Sequence, residues 1–440
     1  MTPEQIRALA PDEASFKAGR GLAAPRLWLA PGRVEGGALW GEMQGSGSKP
    51  YQTVADPAAG TWRCTCPSRK QPCKHVIGLL LCAAEQAGHF TPAAPPEWVV
   101  AWTDARAARA DRQREREAQK AETAAAPPSA ASQARARQRI DRMRDGMALT
   151  DLWLHDRLRE GLAGLRGQPA RHWQEAIKRL IDAQAGGAAT LLRRLRDAFD
   201  APDWQARVAD RLARLHLLAR ATARLDELPE ALAHEVRATL GLALAQDEVR
   251  AQGEIVADVW DVIASTQEPD EELTVCRAWL LGRATGREAL LLSFIVPRAP
   301  REGQDFVAGQ CFEGELAFYP GTAGLRAVPR SQAAAAPAPL AALPAEPVAA
   351  ALARFAARLG ASPWIEQAPM RLADVLLAEA DGQSWMVDAA GDALPVALGA
   401  ARRDRLALVA AGSRMQVAGE WNGATFTPLS AWVAGERHHV

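Results

Sequence analysis

Cys64, Cys66, Cys73 and His75 fall within twelve residues, in the run Trp62-Arg-Cys-Thr-Cys-Pro-Ser-Arg-Lys-Gln-Pro-Cys-Lys-His-Val76. The pattern is C-x-C-x6-C-x-H, followed at once by an apolar stretch. Three thiolates and one imidazole are the ligand set of a closed, tetrahedral structural zinc site. Four protein ligands leave no position for water or substrate, so the role expected of the metal is structural. A C-x-C pair rarely closes a disulfide on itself, because the geometry is strained. The start, Met1-Thr-Pro-Glu-Gln-Ile, has no basic region followed by an apolar one. The expected compartment is therefore the reducing cytoplasm, where thiols bind metal rather than pair.

Local elements must bring these ligands together. Side chains two apart on a strand share a face, so a strand over Trp62–Cys66 lets Cys64 and Cys66 grip one ion. Pro67 and Pro72 bracket the intervening loop and favour a tight path. Cys73 and His75 then stand at the mouth of a helix expected over Val76–Gln86, with Gly88 as its stop. Its apolar segment Val76–Leu81 should pack on the strands. The expected unit is a strand pair and a helix closed over one zinc.

This spacing resembles the SWIM zinc finger, with Cys64, Cys66, Cys73 and His75 at the matching positions. The resemblance to bacterial SWIM-containing proteins extends over about the first 105 residues. It includes Gly19-Arg-Gly-Leu-Ala-Ala-Pro25, Trp40-Gly-Glu42, Gly45-Ser-Gly-Ser-Lys-Pro-Tyr51 and Pro96-Glu-Trp98. It implies a module that binds DNA or another protein. It also implies a genomic setting shared with MoxR-type ATPases and von Willebrand factor A proteins.

The chain has 440 residues, enough for about three domains. Its 52 Lys and Arg balance 52 Asp and Glu, which argues against a strongly basic nucleic-acid protein. No run of about 18 uncharged apolar residues predicts a membrane span. Cys82 is expected as a buried core thiol.

The expected fold class is α+β and multidomain: a small ββα zinc finger domain, an antiparallel helical bundle and β-rich C-terminal units. The finger domain is expected over 1–103, with Thr2 capping a first helix from Pro3. Strands are expected over Ala38–Gln44 and Tyr51–Val54, around a turn at Gly45–Pro50 that fails the phosphate-loop rule. Residues 104–145 hold eleven basic and seven acidic residues and no continuous apolar stripe. They read as a charged linker over 104–146 rather than a phosphate-tracking arm.

The bundle is expected over 147–255, from Leu149, Trp153, Leu154, Leu158, Leu162 and Leu165 at helical spacing. Further helices are expected at 170–184, 188–199, 202–225 and 229–248, with Asp203, after Pro202, available as a cap. His155, His172, His216 and His234 each read as single surface or core residues. A β-rich unit is expected over 256–330, with a hairpin around Gly282-Arg-Ala-Thr-Gly-Arg287. Its Arg287, Arg298 and Arg301 carry no distinguishing pattern.

Residues 331–363 read as an Ala/Pro-rich linker with a helix from Pro347 to Leu359. The C-terminal domain over 364–440 is expected to place strands at 384–388, 406–410, 415–421 and 424–432. Asn422-Gly423 signals a hairpin, and the unit is compatible with a small barrel of the oligonucleotide-binding type. His438-His439 reads as a frayed tail.

The functional expectation is a zinc-binding interaction protein whose finger mediates nucleic-acid or protein binding. Arg63, Arg69, Lys70 and Lys74 surround the ligands. They either contact phosphate or balance the net −1 of three thiolates and Zn²⁺. The alternative is an adaptor subunit of a larger assembly, such as one with a MoxR-type ATPase and a von Willebrand factor A protein, with no nucleic-acid binding. No H-E-x-x-H, G-x-S-x-G, phosphate-loop or dinucleotide motif occurs, so neither an enzyme nor a small-molecule substrate is expected.

Overall fold

The computed structural model describes residues 1–34, 37–45, 49–68, 70–108, 112, 130–159, 161–201, 203–270, 273–296, 306–333, 338 and 340–440. It is a mixed α/β protein. No helix among the described residues is long and apolar enough to cross a membrane.

The N-terminal unit begins with α1 (Pro3–Leu9) and α2 (Glu13–Arg20). Thr2 caps α1 through a reciprocal box with Gln5, and Asp12 caps α2 by accepting from Ser15 N at 2.7 Å. Four antiparallel strands follow in the order β1 (Leu29–Arg33), β2 (Leu39–Met43), β3 (Tyr51–Asp56) and β4 (Thr61–Cys64). The sheet has an apolar layer on each face. Leu39, Met43 and Ala55 pack with α1, α2 and α3 (Lys74–Glu85). Trp40 and Val54 pack with Val99 of α4, a helix over 97–108. The finger is therefore larger than the expected strand pair and helix, because a two-stranded ribbon cannot bury a helix this apolar.

The bundle comprises α5 (Ala130–Arg159), α6 (Gly161–Arg166), α7 (Ala170–Asp182), α8 (Gly186–Asp197), α9 (Trp204–Ala223), α10 (Glu230–Leu240) and α11 (Gln246–Gln252). Met143, Met147, Trp173, Leu180, Leu192, Leu215 and Val236 form its core. The linker expected over 104–146 ends as the first half of α5. Its stripe there is only Ile140, Met143 and Met147, too narrow to show among the arginines. The helix expected over 229–248 is two helices, because Gly241 closes α10 at φ 103°. Asp203 stands at the N-cap of α9 but makes no cap bond; its carboxylate accepts from Arg207 Nε at 2.6 Å.

Next come β5 (Glu254–Asp270), β6 (Leu273–Gly282), β7 (Glu288–Ile295), β8 (Cys311–Phe318) and β9 (Arg326–Gln332). They close into a barrel of order β5-β6-β7-β9-β8, with β8 pairing back to β5. Only β7 and β9 run parallel. Trp260, Leu280, Phe312, Leu316 and Phe318 fill it. Five strands closed in this way have the architecture of oligonucleotide-binding barrels. Closure depends on β5, which is long enough to pair with β6 along one half and β8 along the other. Arg298 and Arg301 lie outside the described residues, while Arg287 pairs with Glu254 at 2.8 Å.

The C-terminal unit is not a barrel. It holds α12 (Val348–Ala361), β10 (Ala368–Ala380), β11 (Gln383–Val387), β12 (Ala393–Pro395), α13 (Ala400–Ala410), β13 (Met415–Trp421), β14 (Phe426–Val433) and β15 (Glu436–His439). The strands form an open sheet of order β12-β11-β10-β13-β14-β15. The strand expected at 406–410 is the end of α13. Leu406 and Ala410 are buried at i and i+4 while Leu408 is 80% exposed, a helical rather than alternating pattern. The expected tail at His438-His439 is strand β15, paired with β14. The Asn422-Gly423 turn does join β13 to β14, with Asn422 Oδ1 accepting from Ala424 N and Thr425 N.

The C-terminal sheet packs on the barrel through Ala418, Leu429 and Trp432, against Ile263 and Ala264 of β5, Trp279 and Leu281 of β6 and Leu290 of β7. Trp279 Nε1 donates to Glu420 Oε1 at 2.7 Å, and Arg277 Nε donates to the same oxygen at 2.9 Å. Such barrels commonly take oligonucleotide on the face of their second and third strands. Here Trp279, Leu281 and Leu290 of those strands are taken up by the interface, while Phe294 of β7 stays exposed.

Candidate metal centre

Two elements deliver the four ligands. Cys64 is the last residue of β4, and Cys66 lies just beyond it. Cys64 stands opposite Thr53 in the register, on the sheet face that carries α3. Cys73 is the N-cap of α3 and His75 sits in its first turn. The four donor atoms all lie within 4.8 Å of one another. Nδ1 of His75 is 3.8 Å from Cys64 Sγ and 4.0 Å from Cys73 Sγ. Sulfur at ~2.3 Å and nitrogen at ~2.0 Å from one tetrahedral ion stand roughly 3.5 Å apart. The observed cage therefore needs only a slight contraction.

The surroundings favour thiolates. Thr53, fully buried, donates from Oγ1 to Cys64 Sγ at 3.2 Å. Backbone N–H groups of Cys66, Ser68 and Val76 aim at Cys64, Cys66 and Cys73 respectively. Three thiols this close compete for ionisation. Hydrogen bonding from Cys73 brings Cys64 down to about 4, and the same bond, with burial, pushes Cys73 up. Burial also pushes Cys66 up. A dication among them would reverse the competition, because its charge stabilises every thiolate at once. The Cys64, Cys66, Cys73 and His75 cluster is compatible with one structural zinc and leaves no protein-free position on a tetrahedral ion.

Helix α3 is enclosed. His75 through Cys82 are buried without a break. Gly78 faces α2, where a Cβ would meet Leu22 Cβ at 2.7 Å. Cys82 is a fully buried core thiol.

Among the described residues, the structure does not gather Arg63, Lys70 and Lys74 into one patch. Lys70 Nζ binds Asp12 Oδ2 at 2.6 Å, and that bond helps hold Asp12 at about 2. Arg63 precedes Cys64 on β4, so it projects from the opposite face of the sheet. Lys74 is exposed at the start of α3. Arg69 lies outside the described residues.

Among the bundle histidines, His172 contacts Gln168 and His234 lies near Glu230, as single surface residues would. His155 and His216 do not behave as isolated residues. Both converge on Asp151. The i, i+4 spacing of Asp151 and His155 was visible in the sequence. His216 lies on another helix, and only packing brings it there.

These features define a closed Cys3His finger ahead of a helical bundle. Residues 51–84 match the family model of the SWIM zinc finger, and residues 138–240 match that of the SWIM-associated four-helix bundle domain. The chain thus carries a SWIM-type finger, and the bundle match begins at 138, within α5. No curated protein and no solved structure matches the chain.

Proposed function

We propose that this chain is a non-enzymatic interaction protein in which zinc holds the finger together and the partner is another protein. The observation carrying this reading is the enclosure of α3. A finger that reads DNA lays its helix in the major groove. Here that helix is packed between the sheet and α2, and cannot enter a groove. The balanced charge of the chain and the capture of Lys70 by Asp12 point the same way. Leu149 and Leu152 on α5 are more than half exposed, as suits a protein-facing surface.

A second reading rests on Arg63 and Lys74. Both are exposed and their side chains make no hydrogen bond or ion pair among the described residues, so they remain able to contact nucleic-acid phosphates. Fluorescence anisotropy separates the two readings. Zinc-loaded full-length protein is titrated with single- and double-stranded DNA and RNA across salt. The adaptor reading predicts no binding at low salt. Binding with a log–log salt slope of about −1.8 on duplex DNA, the value for two contacts, and lost in Arg63→Ala/Lys74→Ala, would establish the second reading instead.

A further inference from the structure

Asp151 and His155 of α5 and His216 of α9 place three metal-type donor atoms within 4.8 Å of one another. Residues four apart on a helix share a face, so Asp151 and His155 project together. Packing of α9 against α5 supplies His216 from the other side. His216 Nδ1 lies 2.7 Å from Oδ1 of Asp151, and His155 Nε2 lies 3.9 Å from Oδ2. The two imidazoles meet edge to face with centroids 5.4 Å apart.

These distances suit a shared ion. Two light-atom ligands at ~2.0 Å on a tetrahedral ion stand about 3.3 Å apart. The carboxylate–imidazole separations of 2.7 and 3.9 Å bracket that value, so a small rotation of Asp151 equalises them. Two imidazoles bound through nitrogen to one such ion have centroids roughly 5 Å apart, near the spacing seen. Two nitrogens and a carboxylate suit Zn²⁺ and its first-row neighbours, and not Ca²⁺ or Mg²⁺.

We propose that Asp151, His155 and His216 form a second zinc site, distinct from the finger. Three protein ligands leave the remaining position open to water, unlike the closed Cys3His cage. Asp151 is the more sheltered ligand, while His155 and His216 are about half exposed, so the site opens to solvent. The ion would tie α5 to α9. In the plainer arrangement, Asp151 and His216 form a hydrogen-bonded pair and His155 is a bystander.

His155→Ala distinguishes these, because it removes a ligand and spares the Asp151–His216 bond. Full-length protein with its finger zinc in place is titrated with ZnCl2 by calorimetry, and with CoCl2 by absorption. The wild type is expected to take up one further equivalent, without thiolate-to-cobalt charge-transfer bands, and to melt at a higher temperature with it. His155→Ala and His216→Ala should each bind that equivalent at least tenfold more weakly while retaining the finger zinc. A wild type that binds no further equivalent overturns the proposal. So does a further equivalent held equally well by His155→Ala. Retention of the finger zinc in every variant separates these outcomes from failure of the finger itself.

Discussion

Cys64 Sγ, at the end of β4, stands 3.8 Å from Nδ1 of His75 in the first turn of α3, and Thr53 Oγ1 donates to the same sulfur at 3.2 Å. A sheet edge and a helix start are thus joined through a donor cluster, with a buried hydroxyl orienting one member. Groups that orient a ligand typically contribute 10- to 100-fold to metal affinity. Thr53→Val keeps the shape and removes the donor. It is expected to weaken zinc binding by about tenfold, measured by chelator competition, with the far-ultraviolet circular dichroism spectrum unchanged.

The contact of α2 with α3 depends on two glycines. A Cβ at Gly19 would lie 2.4 Å from Ile77 Cγ2, and one at Gly78 would lie 2.7 Å from Leu22 Cβ. Gly78→Ala should force the helices apart at a cost of roughly 1–3 kcal/mol. The readout is a lower temperature of zinc release.

Glu288 anchors the barrel to the C-terminal unit. It is buried and meets Arg354, Arg358 and Arg371. Burial alone would raise its pKa, but the three guanidinium groups outweigh it and hold the carboxyl below its ordinary value. Such a group stabilises the fold above the ordinary carboxylate range and ceases to do so as pH falls through the lowered value. Glu288→Gln leaves three cations facing one another and is expected to cost about 3–5 kcal/mol. Urea unfolding near pH 7 measures the loss, which should shrink in acid.

His439 gives a different pH signature. Burial, then Arg402, Arg437 and Arg405, lower it to about 4. Between the ordinary histidine value near 6.5 and that lowered value, the unfolded chain binds more protons than the folded one. Stability is therefore complete above pH 6.5 and declines as pH falls toward 4. His439→Asn should flatten the decline in urea midpoint between pH 7 and pH 5.

The metal ligands were legible in the sequence because Cys64, Cys66, Cys73 and His75 are all local, and local spacing survives folding. The Thr2 cap, the Asn422-Gly423 hairpin and helices α7, α8 and α9 were legible for the same reason. The barrel was not, since its closure depends on β8 meeting β5 across 50 (Asp261 to Cys311) to 64 (Glu254 to Phe318) positions of the chain. Alternation in the C-terminal segment suggested a closed sheet there, but nothing in alternation distinguishes an open sheet from a barrel. The start of α5 was hidden because three apolar residues suffice when a single narrow face is buried. Arg63 and Lys70 looked like neighbours of the metal. Strand parity turns one away, and Asp12, far off in the chain, takes the other.

The central claim is that Cys64, Cys66, Cys73 and His75 hold one zinc on which the finger's fold depends. The direct test is zinc content after exchange into a mildly chelating buffer, which strips loosely held ions. It is made on the wild type and on Cys73→Ser, with near-ultraviolet circular dichroism on both. The wild type should retain one zinc per chain, and Cys73→Ser should lose it together with the ordered signal of the N-terminal unit. A wild type that keeps that signal with no zinc, or a Cys73→Ser protein that retains its zinc, would contradict the account.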